Sequence, residues 1–251
     1  MGIKVLVRKI CISFFKTKIG ITILRAVLPA FKNECMEVLG RYYNDKSDFT
    51  SVAIPQKIKA FEDLLFLFWP SPLNRGIVRL DLDEAALVYS LLKEMPQPFC
   101  VEIGRFKGGS TFLIAAAGAG ELLSIDYHVK MMLVDEGRTY DDALSTALKT
   151  AGINDRVTLA VGDSTTFPNQ NLEVDFLFVD GDHSYEGVKK DYLHWIDAVK
   201  HGGHILFHDA VAPREFTTKH DEVFQFIKEL EQDDRVHKIH EVGSIVHFVK
   251  R

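Results

Sequence analysis

The chain has 251 residues, 47% of them hydrophobic and 26% charged, with a formal net charge of −5; this composition fits one substantial α/β domain plus an extension and excludes a low-complexity or repeat protein. The charge is uneven: residues 1–33 hold seven basic residues and no acid, which leaves 23 basic against 35 acidic residues in the rest. That acidic body, with no basic stripe interleaved with aromatic residues, argues against nucleic acid as a partner. Three widely spaced cysteines, Cys11, Cys35 and Cys100, argue against a disulfide framework or a cysteine zinc site and fit a cytoplasmic protein.

The first 31 residues alternate apolar patches (10–15, 19–24 and 26–31) with single basic residues. No uncharged run approaches the roughly 20 residues that span a bilayer. Lys16 and Lys18 interrupt what would be the apolar core of a signal peptide, and Leu6 stands where a myristoylation signal places Ser or Thr. As a helix, residues 3–15 would gather Ile3, Leu6, Val7, Ile10 and Phe14 on one side, with Lys4, Arg8 and Lys9 elsewhere. Two readings stand level. One is reversible, peripheral contact of residues 1–31 with an anionic membrane face, where each basic residue contributes about 1 kcal/mol. The other is packing on the core or on a second subunit of a homo-oligomer.

The chain divides into a basic apolar extension (1–50), a helical lead-in (51–96) and an α/β domain (97–251). In the lead-in, helices are expected over Lys57 to Trp69, ended by Pro70 and Pro72, and over Leu82 to Met95, with Asp81 or Asp83 as cap and Pro96 as stop. From Phe99 the pattern changes. Short apolar runs at 99–103, 121–126, 156–161, 174–180 and 203–208 read as strands, and amphipathic stretches near 109–118, 138–151, 184–200 and 221–232 as helices. This alternation predicts a doubly wound, mostly parallel sheet with helices on both faces. Val236 to Glu241 and Ser244 to Val249 read as a terminal hairpin turning at Val242-Gly243.

The first strand runs into Glu102-Ile103-Gly104-Arg105-Phe106-Lys107-Gly108-Gly109-Ser110-Thr111. Glycines let the backbone turn sharply near a ligand, and the next helix offers free N–H groups, so Gly104, Gly108 and Ser110 are candidate cofactor contacts. The spacing is neither a dinucleotide fingerprint nor a P-loop, and Glu102 beside a pyrophosphate would repel it. Asp126 ends the second strand, where an acid accepts hydrogen bonds from a ribose, and Asp163-Ser164 end the third, placed to meet an adenine edge.

The fourth strand carries the densest signal. Val-Asp-Phe-Leu-Phe-Val breaks into Asp180-Gly181-Asp182-His183, and the carboxyl end of a strand in an open parallel sheet is where ligands bind. The fifth strand ends in His208-Asp209, which a neighbouring position would bring to Asp180. Asp180, His208 and Asp209 are therefore a candidate metal set, oxygen-rich enough for Mg²⁺ with the imidazole tilting the choice to Mn²⁺.

The segments VEIGRFKGGST, LLSID, VGDS, DFLFVDGDHSYEGVKKDY and GGHILFHDA resemble the class I S-adenosylmethionine-dependent methyltransferases. More narrowly, they resemble the branch of macrolide and aminocoumarin sugar O-methyltransferases, distantly related to catechol O-methyltransferase. The resemblance spans about residues 75–250. It implies a seven-stranded Rossmann-like sheet with a reversed final hairpin, and S-adenosylmethionine as cofactor, with Glu102 and Gly104 facing its methionine part, Asp126 its ribose, and Asp163 with Ser164 its adenine. It further implies Asp180 at the metal and the methyl group, and His183, three residues on, as the base that removes a hydroxyl proton. The expected acceptor is a small molecule or a sugar or glycan hydroxyl. The pattern departs from the family where His208 and Ala210 flank Asp209, in place of the usual acid or amide, and this supports an alternative: a non-catalytic module that keeps the cofactor fold. A nicotinamide dehydrogenase is disfavoured by the missing fingerprint. Asp182 takes no role from sequence. The loop from Ala210 to His220, with Arg214 and Lys219, reads as a lid over the acceptor.

Overall fold

The β-periodic runs assemble into one seven-stranded sheet in the computed structural model, which describes residues 48–68, 76–127, 133–135, 137–211 and 221–251. The amphipathic 1–31 segment, the Trp69–Pro72 stop and the Arg214–Lys219 loop lie outside the described residues. Residues Lys46–Arg251 form one unit, and none of its described helices is long and apolar enough to cross a membrane.

In chain order the unit contains α1 (Leu82–Glu94), β1 (Phe99–Ile103), α2 (Gly109–Ala117), β2 (Glu121–Asp126), a small ribbon of β3 (Leu133–Asp135) and β4 (Arg138–Thr139), and α3 (Tyr140–Thr150). There follow β5 (Val157–Val161), β6 (Val174–Val179), α4 (Tyr185–Trp195), β7 (Val199–Phe207), α5 (Asp221–Leu230), β8 (Val236–Val242) and β9 (Ile245–Lys250). The sheet order is β5-β2-β1-β6-β7-β9-β8. The first five strands pair in parallel, and β9 runs antiparallel to both β7 and β8. The chain moves outward from β1 through β2 to β5 and then returns to β6 on the other side of β1, which makes the β1/β6 boundary the switch point where ligands bind.

Two apolar layers sandwich the sheet. Ala85, Val88 and Leu92 of α1, Phe112 and Leu113 of α2 and Leu144 and Leu148 of α3 cover one face. Val188, Tyr192 and Trp195 of α4 and Val223, Phe226 and Ile227 of α5 cover the other. Central strands buried on both faces carry the continuous apolar runs read in the sequence.

Several boundaries differ from expectation. The helix expected over 57–69 is replaced, among the described residues, by a shorter 3₁₀ helix, Phe61–Leu67. The helix expected to reach residue 200 stops at Trp195, passes through a 3₁₀ turn (Ile196–Ala198), and Val199 already belongs to β7, whose pairing with β6 shifts register between Val174 and Phe176. Gly202-Gly203 had masked that early start. The final turn is Gly243-Ser244, one residue later than expected, because Val242 still pairs with Ile245 and Gly243 takes φ +60°.

Candidate active site

Strand register levels the site. Ile103 pairs with Ile125 and with Val179, Val179 pairs with Phe207, and Asp126 pairs with Val161. The residues that follow these pairs, or close them, therefore stand side by side along the carboxyl edge: Gly162, Asp126, Gly104, Asp180 and His208. A cleft of about 1110 Å³ opens there, lined by Gly104, Ser110, Asp126, Asp163, Ser164, Asp180, Asp182, His183 and His208, with Ile77, Arg79 and Leu80 on its α1 side.

At the switch point β1 and β6 touch closely. Asp180 N–H donates to the Ile103 carbonyl at 2.8 Å and Gly104 N–H to the Ile125 carbonyl at 2.8 Å. Gly104 has φ +85°, and a Cβ there would lie 2.5 Å from the Asp180 carbonyl carbon and 2.8 Å from Gly181 Cα. Only glycine suits both the left-handed backbone and the approach. Gly108, also a candidate ligand contact, is instead set back from the cleft: it is the N-cap of α2 with φ +83°, and a Cβ there would lie 3.0 Å from Leu144 Cγ of α3.

Asp126 accepts the backbone N–H groups of Arg105 and Phe106 on Oδ2, both at 2.9 Å, so it holds the glycine loop while lining the cleft. Arg105, which the sequence reading passed over, fixes that loop from below. Its guanidinium pairs bidentately with Asp141 of α3 (2.8 and 2.6 Å) and donates to the carbonyls of Ser124 and Ala160. It thus joins loop, two strands and one helix.

Glu102 departs from its expected place. Strand alternation turns it away from the side that Val101 and Ile103 occupy, and its fully buried carboxylate accepts from Thr111 Oγ (2.5 Å) and Ser124 Oγ (2.6 Å) beneath α2, outside the cleft lining. Burial pushes its pKa up to about 7.

At the end of β5, Asp163 Oδ1 accepts from Thr165 N–H and Oγ (2.9 and 2.7 Å) and so shapes the turn that follows. Ser164 Oγ donates to Asp191 of α4, another residue the sequence reading missed. Asp182 Oδ1 accepts Ser184 N–H at 2.9 Å, and Ser184 Oγ caps α4 by accepting Gly187 N–H at 3.0 Å. Asp182 therefore sits at the cleft wall as the turn residue that leads into α4.

The chemical half lies at the ends of β6 and β7. His183 Nε2 stands 3.4 Å from Asp180 Oδ1 and 3.3 Å from Asp209 Oδ2. Asp180 and Asp209, which flank its Nε2, push the His183 pKa up to about 9. Asp209 has φ +50°, a conformation Asp tolerates; its N–H donates to Ser244 Oγ at 3.3 Å and the next N–H to the Ser244 carbonyl at 2.8 Å. The hairpin turn thereby aims Asp209 at His183.

His208, expected among the metal donors, stands beside both of the other expected donors, with its Nδ1 3.6 Å from Asp209 Oδ2. Its Nδ1 lies 3.1 Å from Asp180 Oδ1 and its Nε2 3.4 Å from Glu84 Oε2 of α1, so both ring nitrogens face carboxylates. Burial lowers its pKa, but Asp180 and Glu84 win and raise it well above the ordinary value. Burial likewise opposes the ionisation of Asp180, yet His208 and His183 hold its pKa well below the usual range. Among the described residues, Asp180, His183 and Asp209 bring ligand atoms within 4.8 Å of one another.

Residues 101–210 match the family model described as a methyltransferase domain. Among solved structures, the S-adenosylhomocysteine-bound methyltransferase PaMTH1 of Podospora anserina is 20% identical, with a TM-score of 0.52 over 66% of this chain and 77% of that one. The O-methyltransferase TomG of Streptomyces achromogenes, of tomaymycin synthesis, in complex with S-adenosylmethionine, is 18% identical (TM-score 0.51; 68% and 82%). A Bacillus cereus O-methyltransferase with S-adenosylhomocysteine is 17% identical (TM-score 0.52; 70% and 84%). At these identities the likeness is one of fold, and the match over residues 101–210 makes that fold the one of a methyltransferase domain.

Proposed function

We propose that the chain transfers the methyl group of S-adenosylmethionine to a hydroxyl of a small molecule or a sugar or glycan. The observation that carries this reading is the convergence of Asp180, His183 and Asp209 beside the level strand ends that would hold the cofactor. Asp126 and Asp163 offer carboxylates to ribose and adenine, and the Gly104 turn admits the methionine part next to Asp180.

The donor set fits a divalent cation of the Mg²⁺ or Mn²⁺ kind: two carboxylates face each other across His183, and oxygen ligands with one nitrogen at hand suit such hard ions. Asp180 and Asp209 would hold it. When bound, such an ion holds acceptor oxygens and lowers the pKa of the hydroxyl. His183 takes the acceptor's proton at Nε2. To do so it must first be neutral, and a ligand that satisfies the two carboxylates removes what keeps it protonated. Removal of one proton is the only acid–base work in methyl transfer, so alignment of the acceptor oxygen with the sulfonium methyl supplies most of the acceleration.

Calorimetry tests the reading. S-adenosylmethionine should bind with 1:1 stoichiometry, and NAD should not. Binding of NAD, or of neither, would refute it.

A further inference from the structure

We propose that Asp191 is a positioning residue for the nucleoside end of the cofactor: it fixes the Ser164 hydroxyl as a hydrogen-bond acceptor towards the cleft and ties the turn after β5, which carries Ser164, to the turn after β6. The inference rests on the S-adenosylmethionine reading above.

Asp191 belongs to α4, is buried, and lines the cleft together with Ser164 and Gly181. Its Oδ1 accepts from Ser164 Oγ in the turn after β5. Its Oδ2 lies against Gly181, in the turn after β6, where a Cβ would come within 3.2 Å of it. One carboxylate thus touches both turns, and Gly181 leaves room for it.

The ionised form has a directional consequence. A carboxylate only accepts, so Ser164 must donate to it, and the lone pairs of Ser164 Oγ are left for the cleft. They suit a donor such as the exocyclic amino group of adenine. A protonated Asp191 can donate to Ser164 instead, which frees the serine proton to point at that amino group. Burial pushes the Asp191 pKa up to about 6, with Asp163 and Asp182 adding to the rise and Ser164 and His194 opposing it; Lys190 lines the same cleft. The proton is therefore taken up in a range where the folded protein can be assayed.

The test is calorimetry of the full chain with S-adenosylhomocysteine at pH 7.5, 6 and 5, for wild type, D191N and S164A. Asparagine keeps the shape of Asp191 but can donate to Ser164 as the protonated acid does. Wild type should lose affinity as pH falls from 7.5 to 5. D191N should bind about tenfold more weakly than wild type at pH 7.5, the upper end of the loss expected for one hydrogen bond between neutral groups, and its affinity should change less with pH. In the S164A background the same substitution should have little further effect. A D191N variant with wild-type affinity at pH 7.5, or with the wild-type pH slope, overturns the inference while leaving the cofactor reading intact. Absence of binding by wild type at every pH overturns both.

Discussion

Replacing Gly104 by alanine tests whether the β1/β6 switch point is built as described. The methyl group would sit 2.5 Å from the Asp180 carbonyl carbon, where ordinary contact begins near 3.4 Å, so the Asp180 peptide must retreat by about 1 Å. Alanine at φ +85° adds about 1–2 kcal/mol of backbone cost. The retreat strains the 2.8 Å bond from Asp180 N–H to the Ile103 carbonyl, a further 0.5–1.5 kcal/mol or so. The sum is about 1.5–3.5 kcal/mol, or roughly 3–14 °C in Tm for a unit of this size. Because Asp180 itself moves, affinity for S-adenosylmethionine should fall with stability. Thermal unfolding and calorimetry on the same sample measure both. A Gly104→Ala protein with wild-type Tm and wild-type affinity would show that the two strand ends do not touch as described.

Four further outcomes follow from named contacts. Glu84→Ala should destabilise the fold by about 3–5 kcal/mol, the cost of breaking a buried ion pair, since Glu84 also accepts N–H groups from Asp81 (2.6 Å) and Ser244 (2.5 Å); chemical denaturation measures it. Arg105→Lys keeps the charge but loses the bidentate pair with Asp141 and the carbonyl bonds, and should lower Tm despite its conservative appearance. His183, with its pKa raised to about 9, should stabilise the apo fold fully below about pH 6.5, its ordinary value, and lose that contribution as pH rises through 9; a difference between wild-type and His183→Ala stability that does not shrink over this window contradicts the ion-pair geometry. Mg²⁺ should lower the apparent pKa of His183, read by NMR of the imidazole, and Asp209→Asn should abolish that shift.

The strand positions and the level carboxyl edge were legible because short continuous apolar runs and their polar ends are local features. Asp180 and His183 stood out for the same reason. What escaped the sequence depends on partners distant along the chain. Arg105 reads as a loop cation, yet it bonds to residues 19, 36 and 55 positions away. Glu84 and Asp191 look like polar residues on amphipathic helices, and only packing turns them inward. Glu102 could have been corrected from sequence: Val101 and Ile103 share one side of a five-residue strand, so Glu102 must face the other, towards α2.

The central claim is methyl transfer at the Asp180–His183–Asp209 cluster, and transfer of labelled methyl from S-adenosylmethionine to a panel of phenolic and sugar acceptors with Mn²⁺ tests it most directly. Wild type should label a hydroxyl on at least one acceptor class, and His183→Ala should lose that turnover while its affinity for S-adenosylmethionine stays within about twofold. An acceptor methylated equally well by His183→Ala would contradict the account.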